Sequence, residues 1–276
     1  RLLAAWFPHG RCLCRPGYGA AERAPLACAT MGQWLRRHRL GRLAGPLAPY
    51  LVGWGYGYLE WVGALYVWKL LSLYLRGAAG LCRPVHRCPP MGWLPAGYQK
   101  LWEVLAAPFE RLLGVAIRAV RRGPDGVAVE FDGRRRVFDA LILACPLPQA
   151  LGFLDAHPLE RALISRIRTF DFHSLTAEVS GLPPDPLVFV ANYLTPSAAG
   201  HMVSWYRRWP DSDRLVFYAL GENRSLEAVE DLLRQDLGVL GARMESLRSH
   251  DRWDYFPHVD PAETAAGFYR DLESLQ

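Results

Sequence analysis

Lysine is nearly missing from this chain. Of 32 basic residues only Lys69 and Lys100 are lysines, so the rest are arginine. That skew reads as compositional bias in the source rather than as selection of each arginine. A net charge of +5 over 276 residues is also too dilute to define a polyanion-binding surface. The basic run 134–136 falls within a hairpin pattern, and no stripe interleaves basic with aromatic residues, so nucleic acid is not an expected partner. No Cys-x2-Cys pair occurs among the six cysteines. Cys82, His86 and Cys88 with Cys12 and Cys14 lack the spacing of a zinc site, and no metal is expected. Free thiols in a reducing, cytoplasmic compartment are the expectation. H-E-x-x-H and a Ser-His-Asp order are absent, which leaves hydrolase chemistry without support. G-x-G-x-x-G is absent as well: GWGYGY (53–58) has neither a preceding strand nor the third glycine, so it is not a dinucleotide loop.

What is present is a globular composition, 51% hydrophobic and 21% charged, with 25 glycines and 21 prolines that call for many turns. Residues 1–90 read as helical and rich in aromatics. The stretch LAPYLVGWGYGYLEWVGALYVWKLLSLYL (47–75) is long enough to span a bilayer, but Gly53, Gly55 and Gly57 break it early and Glu60 and Lys69 interrupt it. Two helices are expected there, lining an apolar pocket or resting on a membrane surface. The glycines are expected to permit close packing beneath aromatic side chains.

From residue 91 the pattern changes. PAGYQKLWEVL (95–105) carries an amphipathic helix with Leu101, Trp102, Val104 and Leu105 on one stripe. Residues 115–137 alternate as strands, with turns at Gly123-Pro124-Asp125-Gly126 and Asp132-Gly133. FDALILACPLPQAL (138–151) then supplies an all-apolar run, 140–144, expected as a strand buried on both faces. Further on come a helix (159–168), strands near 174–182, 187–194, 201–208 and 214–220, and a helix (225–241) with Ser225 as its N-cap. A strand through MESLRSHDRW and a helix from Pro261 close the chain.

A helix containing P-x-G-x-Q-x-L, the hairpin V-x-x-V-R-R-x-x-D-G-V-x-V and FDALILACPLPQAL occur in one order. That order, with RWDYFPHV and GYGYLEW later and earlier in the chain, resembles the flavin-containing amine oxidoreductases. The resemblance covers essentially the whole chain. It implies an α+β architecture (α/β in the complete protein): a partial FAD-binding domain with a β-meander, plus a substrate domain of mixed or antiparallel sheet and helices. It divides the chain into a helical part of the substrate domain (1–90), an FAD-domain segment (91–155), the substrate-domain sheet and helices (156–255) and a return toward the FAD domain (256–276). Arg1 and Gln276 both look like cut ends, so the expectation is the central part of a longer flavoenzyme.

The implied cofactor is FAD, with Gly97, Gln99, Ile117, Ala144, Cys145 and Pro146 beside it. Small residues at a proline-terminated strand end suit close approach of a dinucleotide, although any buried strand can end that way. The implied reaction is hydride transfer from a C–N or C–C bond of a small hydrophobic or amine substrate, in a pocket walled by Trp54, Tyr56, Tyr58, Trp61 and Tyr66. His173, Glu178 and His258 are the acid/base candidates. Many family amine oxidases carry a lysine on the first substrate-domain strand; Glu178 stands nearest that position here, which leaves dehydrogenase, desaturase and isomerase chemistry open. The alternatives are a non-enzymatic protein held peripherally at a membrane, or a family member that has lost turnover. Oligomeric state is not legible.

Overall fold

A computed structural model describes residues 9–15, 17–22, 24–78, 94 and 96–275. The fold is α+β, in two compact units: Arg1–Ser72 with Arg166–Gln276, and Leu73–Ser165.

The larger unit is organised by a five-stranded antiparallel sheet in the order β5-β6-β7-β4-β8. Its strands are β4 (Arg168–Ser180), β5 (Leu187–Phe189), β6 (Met202–Tyr206), β7 (Arg214–Leu220) and β8 (Arg243–His258). One face carries Leu175, Ala177, Val179, Leu215, Phe217 and Ala219, packed on Val229, Leu233 and Leu237. Those last three residues recur at helical spacing along Leu226–Val239, which is why this helix covers the sheet. Ser225 caps its start by accepting from Ala228 N at 3.2 Å. Its end is a Schellman turn, with Ala242 N donating to Leu237 O and Gly241 N to Gly238 O.

The opposite face meets a helical layer. Thr30 opens the helix Met31–Arg37 with a capping box to Gln33. The helix Ala44–Gly53 follows and packs against β6 and β7. The glycines of GWGYGY then each meet a phenylalanine of the sheet. A side-chain carbon on Gly53 would collide with the Phe189 ring, one on Gly55 would stand 2.9 Å from Phe172 Cδ2, and one on Gly57 would stand 2.5 Å from Phe170 Cε2. Gly55 and Gly57 also hold φ of 80° and 96°, a conformation that other residues adopt at a cost. The final segment belongs to this unit: the buried Glu22 carboxylate accepts from Tyr269 N and Arg270 N at the start of Phe268–Glu273.

The smaller unit holds the meander β1 (Ile117–Gly123), β2 (Gly126–Phe131) and β3 (Arg134–Phe138), joined by the two turns expected from the sequence. Val120, Val129 and Phe131 form its core with Phe153 and Leu154. Arg122 ties the meander to the segment after it, donating to Asp155 Oδ1 at 2.9 Å and to both Glu160 oxygens at 2.7 and 2.8 Å. The helix Gly97–Ala106 forms as expected, but its apolar stripe is open, with Trp102 63% exposed.

Residues 140–144 depart from the expected buried strand. They form no strand, and Ile142 is 90% exposed. An apolar run becomes a strand only where neighbouring backbone takes up its N–H and C=O groups, and among the described residues the meander ends at β3 with no further strand beside it.

Candidate substrate cleft

Where the glycine-spaced aromatics meet the sheet, a cleft of about 380 Å³ opens. Gly53, Trp54 and Tyr56 form one wall, and Phe172, Tyr218, Tyr255, Leu187, Phe189, Ser204 and Tyr206 form the other. Strand periodicity explains the second wall. Phe217 and Ala219 point into the helix-covered core, so Tyr218 between them points the other way, and Ser204 pairs with it across the ladder. The Phe172 ring lies parallel to Tyr218 at 5.4 Å between centroids and 5.3 Å from Tyr255. Burial pushes the Tyr218 phenol upward from its usual pKa, so the hydroxyl stays protonated at neutral pH. The cleft is therefore largely apolar on its walls, with side-chain hydroxyls as its polar groups.

Of the five aromatics expected in a pocket, Trp54 and Tyr56 line this cleft. Tyr58 is fully buried, its ring edge-on to Trp61 at 4.7 Å. Trp61 lines a separate cleft of about 180 Å³ with Phe170, Asp171 and Glu222. Tyr66 is a buried strut: its Oη accepts from Val259 N at 2.8 Å and lies 2.6 Å from Tyr269 Oη. The sequence patterns alone do not single out Phe172, Tyr218 and Tyr255. The alternation of RLVFYAL around Tyr218 was the available signal, and it needed the sheet's other face to be read.

His173 is completely buried and belongs to a chain of hydrogen bonds leading to the covering helix. Its Nδ1 lies 2.9 Å from His250 Nε2, and His250 Nδ1 lies 3.1 Å from Glu230 Oε1. With Glu230 ionised the protons order themselves: His250 donates from Nδ1 to the carboxylate and accepts from His173 Nδ1–H. His173 Nε2 then carries a lone pair with no partner among the described residues, packed against Gly221. Burial, then the neighbouring His250, lowers its pKa to about 4.

His258 is also buried, with its ring stacked 4.2 Å from Phe170 and its Nδ1 2.8 Å from Phe256 O. Burial holds its pKa below the ordinary histidine value. Glu178 accepts from Arg248 (2.8 Å), Arg214 (3.3 Å) and Ser246 (3.0 Å), and these partners, Arg248 foremost, keep its carboxyl below the usual range. It borders a polar cleft with Trp209 and Asp213, away from the lining residues of the aromatic one.

In the smaller unit Ile117 is 44% exposed, and nothing lies within 4 Å of where a side chain on Gly97 would begin. Ala144 is exposed, while Cys145, a free thiol, and Pro146 are half-buried. Gln99 is exposed and donates to Glu103 at 3.1 Å. These backbone segments are thus open to a ligand lying along them. Among the described residues no three metal-ligating side chains converge, and no helix is long and apolar enough to cross a membrane. Cys82, His86 and Cys88 lie outside the described residues.

Residues 30–248 match the family model of flavin containing amine oxidoreductases, and the chain belongs to that family. Among solved structures it is similar to the CLA-producing fatty acid isomerase from P. acnes, at TM-score 0.81 and 24% identity over 99% of this chain. It is also similar to a triple mutant of putrescine oxidase (TM-score 0.65, 17% identity, 99% of this chain). A third is cyclohexylamine oxidase from Brevibacterium oxydans IH-35A (TM-score 0.60, 14% identity, 98% of this chain). The chain spans 66%, 65% and 65% of those three proteins, respectively. No curated protein sequence matched.

Proposed function

We propose that this chain is the substrate-holding part of an FAD-dependent oxidoreductase that oxidises a hydrophobic substrate at a C–N or C–C bond. The observation that carries the reading is the aromatic cleft, built by alternate glycines seating phenylalanines of the sheet, in a chain of the flavin-containing family. Its walls exclude water from an apolar ligand and offer flat faces on which an alkyl or planar group packs. Tyr218, Tyr255 and Tyr56 supply orientation through hydroxyls. FAD, when bound, supplies a two-electron acceptor for the hydride. Gly97, Gln99, Ile117 and the Ala144-Cys145-Pro146 segment are the residues of this chain proposed to lie along it, a reading supported by the exposure of Gln99, Ile117 and Ala144 and by the open space at Gly97.

His173 and His258 fit the role of neutral, positioned groups better than that of acids, since burial disfavours the imidazolium of both. Glu178 fits a structural role, its oxygens being shared among two arginines and a serine. Visible absorption of the purified full-length protein tests the proposal, followed by anaerobic titration with hydrophobic amines, fatty acids and polyenes. A flavin band bleached by one of these classes is expected. A protein purified without flavin, and taking up none, overturns it.

A further inference from the structure

The helix Ala44–Gly53 turns Ala48, Leu51 and Val52 inward, as its packing on the sheet requires. Its outer side is as apolar as its inner one. Gly45, Pro46 and Tyr50 are exposed there, with Tyr50 at 53%, and Trp54 follows at 39%. Pro46, Tyr50 and Trp54 recur every four residues, so they form one stripe. From Leu43 to Leu59 the sequence holds no charged residue. A surface helix facing water alone would carry polar residues on that stripe. Immediately before it, Arg36, Arg37, Arg39 and Arg42 are all exposed, and none is in an ion pair among the described residues. An uncharged face with tyrosine and tryptophan, preceded in the chain by four exposed arginines outside any ion pair, matches the interfacial zone of an anionic bilayer in both polarity and charge.

We propose that this face docks on an anionic lipid bilayer, with Tyr50 and Trp54 seated at headgroup depth and the four arginines on the phosphates. The arginines commit the proposal to a lipid surface: a neutral apolar partner would leave them unused. The placement also has a consequence for the cleft. Trp54 lines it, and the Tyr50 ring lies 5.3 Å from Trp54 and 5.7 Å from Phe189, so both anchors stand at its mouth. Docking would bring that mouth to the lipid boundary, where an apolar substrate is concentrated. This last step rests on the function proposed above; the docking itself does not.

Flotation of the full-length protein with phosphatidylcholine vesicles, with and without phosphatidylserine, tests the docking independently of turnover. Binding to the phosphatidylserine vesicles is expected, weakened about tenfold or more when Arg36, Arg37, Arg39 and Arg42 are all changed to Gln. Tyr50→Asp should weaken it comparably while circular dichroism stays that of the parent. Brominated acyl chains should quench part of the tryptophan emission, and Trp54→Phe should remove that part, a reading that stands even if Tyr50→Asp fails to fold. Three results overturn the proposal. The first is no flotation on either vesicle. The second is flotation lost in the arginine variant but kept in Tyr50→Asp, with no bromolipid quenching. The third is a self-associated protein whose second copy, rather than lipid, is released by Tyr50→Asp in sedimentation. Flavin content and substrate reduction, measured on the same preparations without vesicles, report separately on the oxidoreductase reading.

Discussion

Gly57 lies so close to the ring of Phe170 that a methyl group on it would stand 2.5 Å from Cε2. Phe170 in turn stacks on His258 at 4.2 Å and lies parallel to Phe256 at 6.5 Å. The helical layer and the sheet are therefore keyed together by the absence of a side chain. Gly57→Ala should destabilise the larger unit by about 2–4 kcal/mol, combining an overpacked contact with a φ of 96°. Equilibrium denaturation measures it. A loss under about 0.5 kcal/mol would show that the layer adjusts freely.

The buried His173 predicts acid sensitivity. Its folded-state pKa is about 4 against 6.5 for an ordinary histidine. Between those values the unfolded chain binds the extra proton and the native state does not. The stabilising difference is thus fully present above pH 6.5 and is lost as pH falls toward 4. The groups facing it are His250, with Glu230 behind, and Asp171 and Arg252 beside it, and none offers Nε2 an acceptor. Urea unfolding at a series of pH values should show a steeper acid limb in the parent than in His173→Gln. Identical slopes would contradict the assignment.

Removing the Tyr66 hydroxyl strands a buried donor. Val259 N donates to Tyr66 Oη at 2.8 Å, and Tyr269 Oη shares the site at 2.6 Å. Tyr66→Phe should cost about 1–3 kcal/mol, more than a surface tyrosine would. Thermal unfolding reads the loss, and hydrogen exchange at Val259 should accelerate with it.

In the smaller unit Arg122 is the shared cation of Asp155 and Glu160. Its hydrogen bonds hold the Glu160 carboxyl at a pKa of about 2. Arg122→Lys keeps the charge but loses the fork that grips both Glu160 oxygens, so the variant should unfold at lower urea and Glu160 should titrate closer to 4.5. A Glu160 resonance still titrating near 2 in the variant would show that His157 N, its other donor, suffices.

Local signals in the sequence translated well into structure. Ser225 and the Gly123–Gly126 and Asp132-Gly133 turns each act within a few residues, and each does what its chemistry dictates. Pairings across long loops were not legible. Glu178 meets Ser246 and Arg248 because β4 and β8, some seventy residues apart, adopt one register. Phe256 takes a φ of 55° where that same register slips, and this swings its ring between Tyr56 and Tyr66, which no local pattern announces. Residues 140–144 show the converse: a strand-like composition forms a strand only where a neighbour pairs with it. The cleft was half legible for the same reason, its near wall lying in one short stretch and its far wall on all five strands of the larger sheet.

Leu187 stands in the cleft and is 45% exposed, so a larger side chain there can fill the space without displacing the core. The direct test of the account is rapid mixing of the flavin-loaded full-length protein, parent and Leu187→Trp, with its reducing substrate under anaerobic conditions. Equal flavin content is expected in both, and a substrate concentration for half-maximal reduction raised about tenfold or more in the variant. Equal concentration dependence in the two proteins would place the substrate elsewhere and contradict it.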